Sequence, residues 1–251
     1  MTTLGQVPYA EALALQDRLR TARQADATPD CLLLLEHPPV YTRGRRTQPG
    51  DLPMPEQWYR AKGIGIQDSD RGGQVTYHAP GQLVGYPIMR VRSVHDFVHT
   101  MESAMIAALA DEGIAAEVRD GLTGVWVGDA KIGSIGIHVS RGVTTHGFAI
   151  NVDNDLQPFD WIHPCGVDNA HMTSIHTETG DAGMTCFRKR IAHRFAEQFG
   201  FRQRLVSSQR LLHMALTEPS ATVAAGRDDA QRNVRSQLRW ASSRPATTTP
   251  A

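Results

Sequence analysis

Apolar residues change their spacing several times along this chain, and each change marks an element. Ala12, Leu15, Leu19 and Ala22 recur at helical spacing, which predicts an amphipathic helix over roughly 9–25. Cys31-Leu-Leu-Leu-Leu-Glu36 is a short unbroken apolar block between Pro29 and Pro38, suited to a buried strand. A second strand begins at Val40 and runs into the basic turn Arg43-Gly-Arg-Arg46, and the stretch 47–57 reads as a surface loop. A glycine-rich segment from Arg71 to Gly85 leads into the strand-like Val84-Gly-Tyr-Pro-Ile-Met89.

Ser93, with Asp96 three residues on, has capping-box spacing and opens a helix whose inner face carries Phe97, Met101, Ala104 and Ala108. Gly113 is placed to stop it. Three strands are expected at 124–128, 131–139 and 144–152, the last two joined through Ser140-Arg-Gly142 as a hairpin. Phe187, Ile191, Phe195 and Phe199 repeat every fourth residue and predict a late helix ending at Gly200. From Thr217 onward only Val223, Val234, Leu238 and Trp240 are sizeable apolar side chains, so 217–251 reads as a poorly ordered tail behind a single domain of residues 1–216. Strands and helices interleave without a strict βαβ rhythm, which predicts one α/β domain with a mixed sheet flanked by helices.

With 41% apolar and 21% charged residues, the composition excludes disorder over most of the chain. Net charge is zero, so no global field points to nucleic acid or an anionic membrane, and Cys31–Leu35 is far too short to span a bilayer. Three cysteines (Cys31, Cys165, Cys186) are an odd number at no metal-like spacing; reduced thiols, a cytoplasmic location and no metal site are the expectation. The first residues lack a charged segment followed by an apolar core, so no secretory leader is expected. Only three lysines (Lys62, Lys131, Lys189) stand against 23 arginines, so a lysine in a chemically rich stretch is conspicuous.

Three stretches carry that chemistry. Arg71-Gly-Gly-Gln-Val-Thr-Tyr-His-Ala-Pro-Gly-Gln82 combines paired glycines, which let backbone approach a ligand, with donors and acceptors. It meets neither the Walker nor the Rossmann spacing, and a tight structural turn explains it equally well. Cys165, between Pro164 and Gly166, sits in a turn that presents a thiol, whereas a core cysteine prefers an apolar run such as the one around Cys31. Lys131 lies among Gly128, Ile132, Gly133, Ile135, Gly136 and Ile137, on a strand that looks buried. Such a lysine is either paired or functional, or else it snorkels from an edge.

In this order the three features resemble the octanoyl (lipoyl) transferase family. The likeness covers Arg71–His78, Pro80-Gly-Gln82, Tyr86-Pro-Ile88, Lys131-Ile-Gly-Ser-Ile-Gly136, His146-Gly-Phe-Ala-Ile-Asn151, Pro164-Cys-Gly166 and Thr173-Ser174, with His37-Pro-Pro-Val-Tyr-Thr42 and Gly44-Arg-Arg46 upstream. It spans roughly residues 10 to 205. The resemblance implies the biotin/lipoate protein ligase fold, with Cys165 as acyl-thioester nucleophile and Lys131 lowering its pKa. It implies acyl-substrate contacts from Arg71, Gly72, Gly73, Gln74, Val75, Thr76, Tyr77 and His78, from Ser134, Ile135 and Gly136, and from Gly147, Phe148 and Ala149. Neither ATP nor a metal is implied. Octanoyl-acyl carrier protein is the implied donor, and lipoyl domains of 2-oxoacid dehydrogenases and the glycine cleavage H protein are the implied acceptors. Arg43, Arg45 and Arg46 offer an acidic carrier protein a docking place.

Two departures stand out. Gly133 occupies a position where alanine is common and is expected to loosen the strand beside Lys131, and the chain beyond Leu216 has no counterpart in the family. Competing readings are an ATP-dependent lipoate or biotin ligase, with Arg43–Arg46 as its phosphate loop, a non-catalytic lipoyl-domain-binding module, and a thioesterase.

Overall fold

Cys31, Leu32, Leu33, Leu34 and Leu35 are all buried, and they alternate between two different cores. The computed structural model describes residues 1–163, 171–207 and 209–211; there this block is β2 (Cys31–Glu36), paired in parallel with β1 (Thr2–Gln6). A fully buried leucine contributes about 1.5–3 kcal/mol over an exposed one, so a strand apolar on both faces belongs in the middle of three layers.

The elements that follow α1 (Tyr9–Gln24) and β2 are β3 (Val40–Arg43), α2 (Glu56–Ala61), β4 (Gly65–Asp68), β5 (Val75–His78) and β6 (Gln82–Ile88). Then come α3 (Val94–Ala110), β7 (Glu117–Arg119), β8 (Leu122–Val127), β9 (Ala130–Ser140), β10 (Val143–Asn151), α4 (Ile175–Thr179) and α5 (Met184–Gln198). Seven strands form one sheet in the order β1-β2-β6-β10-β9-β8-β7, and three form a second in the order β4-β3-β5. Both are mixed, as the interleaving predicts: β1–β2 and β3–β4 are parallel, the other pairs antiparallel.

On one face of the large sheet, Ala12, Leu15 and Leu19 of α1 pack on Leu33, Val84, Tyr86 and Ile88. On the other, Phe97, Met101 and Met105 of α3 and Phe187, Ile191 and Phe195 of α5 cover Leu32, Leu34, Leu83 and Ile150. A third core of Tyr41, Tyr59, Val75, Tyr77 and Phe159 lies at the small sheet. Ser93 caps α3 by accepting the Asp96 N–H at 3.2 Å. The β9–β10 hairpin turns through Arg141 (φ 47°) and Gly142 (φ 74°), with Ser140 opposite Val143. Two consecutive positive φ angles match the right-handed twist of the strands they join. Among the described residues no helix is long and apolar enough to cross a membrane.

The structure departs from the sequence reading in several places. β1, β4, β7 and α2 carry no period strong enough to mark them. β1 is nonetheless fixed at its outer edge: Val206 N donates to Met1 O and Thr2 Oγ1 to Val206 O, both at 3.0 Å. Gly133 does not loosen β9. It pairs with both Val125 and Ile150, and a Cβ there would lie 2.3 Å from Met105 Cε, so its lack of a side chain lets α3 seat against the strand. Arg43 is not a free charge of the basic turn, because its guanidinium holds Asp68 at 2.7 Å and Glu56 at 2.8 Å. The tail expected at 217–251 lies outside the described residues.

Gly85 and Gly147 set how closely β6 and β10 approach. A Cβ on Gly147 would sit 2.1 Å from Gly85 O and 2.5 Å from Pro87 Cδ, and neither backbone nor proline ring can swing away. Gly147→Ala is therefore expected to lose roughly 2–3 kcal/mol of stability in urea denaturation, the upper range for overpacking. Gly50→Ala, with nothing within 4 Å of its added carbon, should stay within about 0.5 kcal/mol of wild type. Equal effects of the two would show that this close approach does not limit the sheet.

Candidate active site

β9 and β10 meet the 71–74 segment and β5 around a cavity of about 270 Å³. Gly72 N donates to Ile137 O at 2.9 Å and so fastens that segment onto β9. Arg71 braces it from within: Nε and Nη2 donate to Thr42 Oγ1 at 3.0 and 2.8 Å, Nη2 to Thr42 O at 2.6 Å, and Nη1 to Gly72 O at 3.0 Å. Of the residues singled out in the sequence, Arg71, Gly72, Gly73, Gln74, Thr76, His78, Lys131, Ser134, Ile135, Gly136, Gly147, Phe148 and Ala149 all line the cavity. Val75 and Tyr77 do not. Side chains alternate along a strand, so these two point away from Thr76 and His78 and pack in the third core, Tyr77 at 5.3 Å from Tyr41 and 5.4 Å from Phe159 between ring centroids.

Lys131 is 6% exposed and opens on the cavity. Its ammonium donates to Thr123 O at 3.0 Å and lies 5.4 Å from the centre of the Trp126 ring. The β8–β9 register slips between Val125 and Trp126, which gives β9 an extra residue beside Lys131. Such a bulge re-aims a side chain. Lys131 also receives the chain from another quarter: its N–H donates to His171 O at 2.8 Å and its carbonyl accepts Thr173 N at 3.0 Å. Thr173 O in turn accepts Asn151 Nδ2, Asn151 Oδ1 accepts Gln82 Nε2, and Gln82 Oε1 accepts His78 Nδ1. Motifs spread over a hundred residues of sequence thus converge on one lysine.

Tyr9, His78, Tyr86 and His146 complete the wall, with His37 buried behind them. Burial pushes His37 down to about 4, with Nδ1 donating to Val7 O and Nε2 accepting from Tyr86. Burial, then the nearby His37, push His78 down to about 3; its bond to Gln82 Oε1 places the proton of the neutral ring on Nδ1. His146 is held at φ 58° with its N–H on Gln16 Oε1, and its Nε2 meets Asp70 Oδ1 at 2.6 Å. That hydrogen bond pulls the Asp70 carboxyl down to about 2. Tyr9, Tyr86, Trp126 and His146 line the cavity but escaped sequence reasoning as site residues, although Tyr86 and His146 lay within quoted motifs.

Burial raises the Cys31 thiol to about 12, which makes it a poor nucleophile, and Cys186 is exposed on α5. Cys165 lies outside the described residues. The chain before it is tied down through His163 N, which donates to Asp51 O at 3.0 Å, and after it through His171 on Lys131. Among the described residues no group of three or more histidine, cysteine, aspartate or glutamate side chains is placed to hold a metal ion.

Comparison with known proteins bears on what this cavity serves. Residues 8–196 match the family described as Lipoyl protein ligase A/B catalytic domain. An octanoyltransferase of Acidobacterium capsulatum is 41% identical over 214 residues, 78% of this chain and 87% of that one. A structure from the structural analysis of an archaeal lipoylation system, a bipartite lipoate protein ligase and its E2 lipoyl domain from Thermoplasma acidophilum, superposes with a TM-score of 0.67 at 17% identity, over 85% of this chain and 89% of the other. Biotin protein ligase of Aquifex aeolicus in complex with biotin and ATP does so with a TM-score of 0.51 at 12% identity, over 80% and 69%. The expected ligase-like fold is therefore correct.

The depressed histidines make stability depend on pH in a defined window. Unfolded histidines titrate near ~6.5, so between about 6.5 and 4 the unfolded chain binds more protons than the folded one, and stability rises with pH. This contribution is complete above pH ~6.5 and drains as pH falls toward the folded values; the Asp70 contribution drains only below its own unfolded value, near ~4. Urea denaturation from pH 7 to 4 should show this slope, at most about 1.4 kcal/mol per pH unit for each group. His37→Gln should flatten it, and an unchanged slope in that variant would reject the assignment.

Proposed function

Because this chain belongs to the lipoyl protein ligase A/B catalytic-domain family, we propose that it is an octanoyltransferase of protein lipoylation that works through an acyl-thioester on Cys165 with Lys131 as its charged partner. The observation that carries the mechanism is a buried ammonium opening on a cavity, with the chain just beyond Cys165 hydrogen-bonded to that lysine's own backbone. The acceptors are lipoyl domains, including those of 2-oxoacid dehydrogenases and the glycine cleavage H protein. The donor in this reading is octanoyl-acyl carrier protein, and the setting is the cytoplasm.

A free thiol titrates near ~8.5 and is only a few per cent thiolate at neutral pH. One ammonium close by lowers such a group by about 1–3 units, enough to make the thiolate the main species. In the first step Cys165 Sγ attacks the donor's thioester carbonyl, a new C–S bond forms, and the carrier's thiolate leaves and takes up a proton. In the second, the neutral amine of the acceptor lysine attacks, a C–N bond forms, and the Cys165 thiolate departs. The amine's spare proton passes to Lys131, left neutral when it gave its own proton to the departing carrier thiolate, and this restores the ammonium beside the Cys165 thiolate. Exchange of one thioester for another is nearly neutral and thioester to amide is downhill, so the sequence needs neither ATP nor a metal. Val98, Leu122, Trp126, Ile135 and Phe148 supply the apolar wall an eight-carbon chain requires. The ligases resemble this chain in fold, whereas an octanoyltransferase relative is 41% identical over 214 aligned residues, which favours transfer over ATP-dependent ligation.

Intact mass spectrometry after incubation with octanoyl carrier protein should show one added octanoyl group. Cys165→Ala should abolish it, while Cys31→Ala and Cys186→Ala retain it; labelling that survives in Cys165→Ala would refute the thioester. Lys131→Met should raise the pH midpoint of iodoacetamide alkylation at Cys165 toward ~8.5. A folded Lys131→Met variant with the wild-type alkylation profile would remove Lys131 from the chemistry.

A further inference from the structure

α3 turns an apolar face to the sheet through Phe97, Met101, Ala104, Met105, Ala108 and Leu109, yet the same face buries a carboxylate. Glu102 is 4% exposed. A buried carboxylate is costly unless strong donors surround it, so its partners are informative. Its Oε1 accepts the Gly124 N–H at 3.0 Å, and its Oε2 stands 3.1 Å from His99 Nδ1 near the surface.

The Gly124 N–H and the Thr123 carbonyl belong to one peptide group. Because a trans peptide is planar, they point to opposite sides, and the carbonyl accepts the Lys131 ammonium at 3.0 Å. Glu102 and Lys131 thus grip the two edges of a single peptide plane. Gly124 makes the grip possible: its φ is +121°, and a Cβ there would lie 2.7 Å from Lys131 Cε and 2.5 Å from Gly133 O. At such a φ the peptide has no β-ladder geometry to orient it, so a charged acceptor supplies the orientation.

We propose that Glu102 is the positioning residue for Lys131, fixing and polarising the Thr123–Gly124 peptide so that its carbonyl holds the ammonium over the cavity. The inference rests on the reading of Lys131 given above. A carboxylate on the N–H side makes the carbonyl on the other side a stronger acceptor, as in any hydrogen-bonded chain. The side chain never meets substrate. It acts through one peptide on the group that does.

Three substitutions test this against a merely structural role. Glu102→Gln keeps an oxygen for the Gly124 N–H but gives up the charge that polarises the peptide, so it should move the Cys165 alkylation midpoint in the direction of Lys131→Met by less than the other two variants and lower kcat only about two- to threefold. Glu102→Asp withdraws the carboxylate by one methylene and Glu102→Met removes it. Both should lower kcat roughly tenfold with the donor KM little changed, the pattern of a misplaced group rather than lost binding. Both should also move the alkylation midpoint in the direction of Lys131→Met, and neither should move it further when combined with Lys131→Met. Glu102→Asp carries the test should the apolar variant fail to fold. If these variants lose thermal stability but keep the wild-type alkylation profile while Lys131→Met shifts it, Glu102 is only a buried structural group and the inference falls. If Lys131→Met itself leaves the profile unchanged, the reading of Lys131 fails instead, and this inference with it.

Discussion

An ammonium taken out of water must be met by acceptors inside the protein, or it sheds its proton or pulls the structure apart. Lys131, at 6% exposure, imposes that demand on everything around it. Thr123 O and the face of Trp126 meet it from β8, which in turn needs Gly124 to pass beneath the lysine stem. The bulge in β9 aims the side chain, and the 171–173 segment closes over its backbone. Each provision is local. Together they require β8, β9 and α3 to be assembled before the charge can settle.

The cavity beside it is shaped by what is missing from the sheet. Where β6 faces β10, Gly85 leaves room for the Phe148 ring and Gly147 leaves room for the Gly85 carbonyl. On β9, Gly136 lies so near Gly72 O that a Cβ would come within 2.9 Å of it. β6 and β10, and likewise β9 and the 71–74 segment, therefore approach through backbone rather than side chains, and direct backbone contact sets their spacing. A slot held by backbone in this way would suit the proposed acyl transfer, whose intermediate has to be shielded from water.

Much of this architecture is written in the spacing of apolar residues. The leucines of β2, the faces of α3 and α5 and the turn at Arg141-Gly142 are all legible because burial on one or both sides leaves a period. β1, with Thr2, Thr3 and Gln6, and the three-residue β7 leave none; their place comes from pairing partners remote in sequence. The site divides in the same way. Lys131 and the 71–78 motif announce themselves by unusual chemistry, and strand alternation then decides that Thr76 and His78 face the cavity while Val75 and Tyr77 do not. Asp70 with His146, Tyr9 and Glu102 were out of reach. Each looks ordinary in its own stretch of chain and acquires its partner only through folding.

The fastening of β1 to Val206 has a consequence for how the molecule comes together and comes apart. It joins positions more than two hundred residues apart, the widest loop closed by the hydrogen bonds described. The entropy of closing a loop grows with its length, so this seam gains least from partial order and depends most on the completed sheet. β1 is also paired on one side only, so it is expected to open at less cost than strands held on both sides. An opening there would peel an edge strand while leaving β8, β9 and β10, on the opposite side of β6, in place.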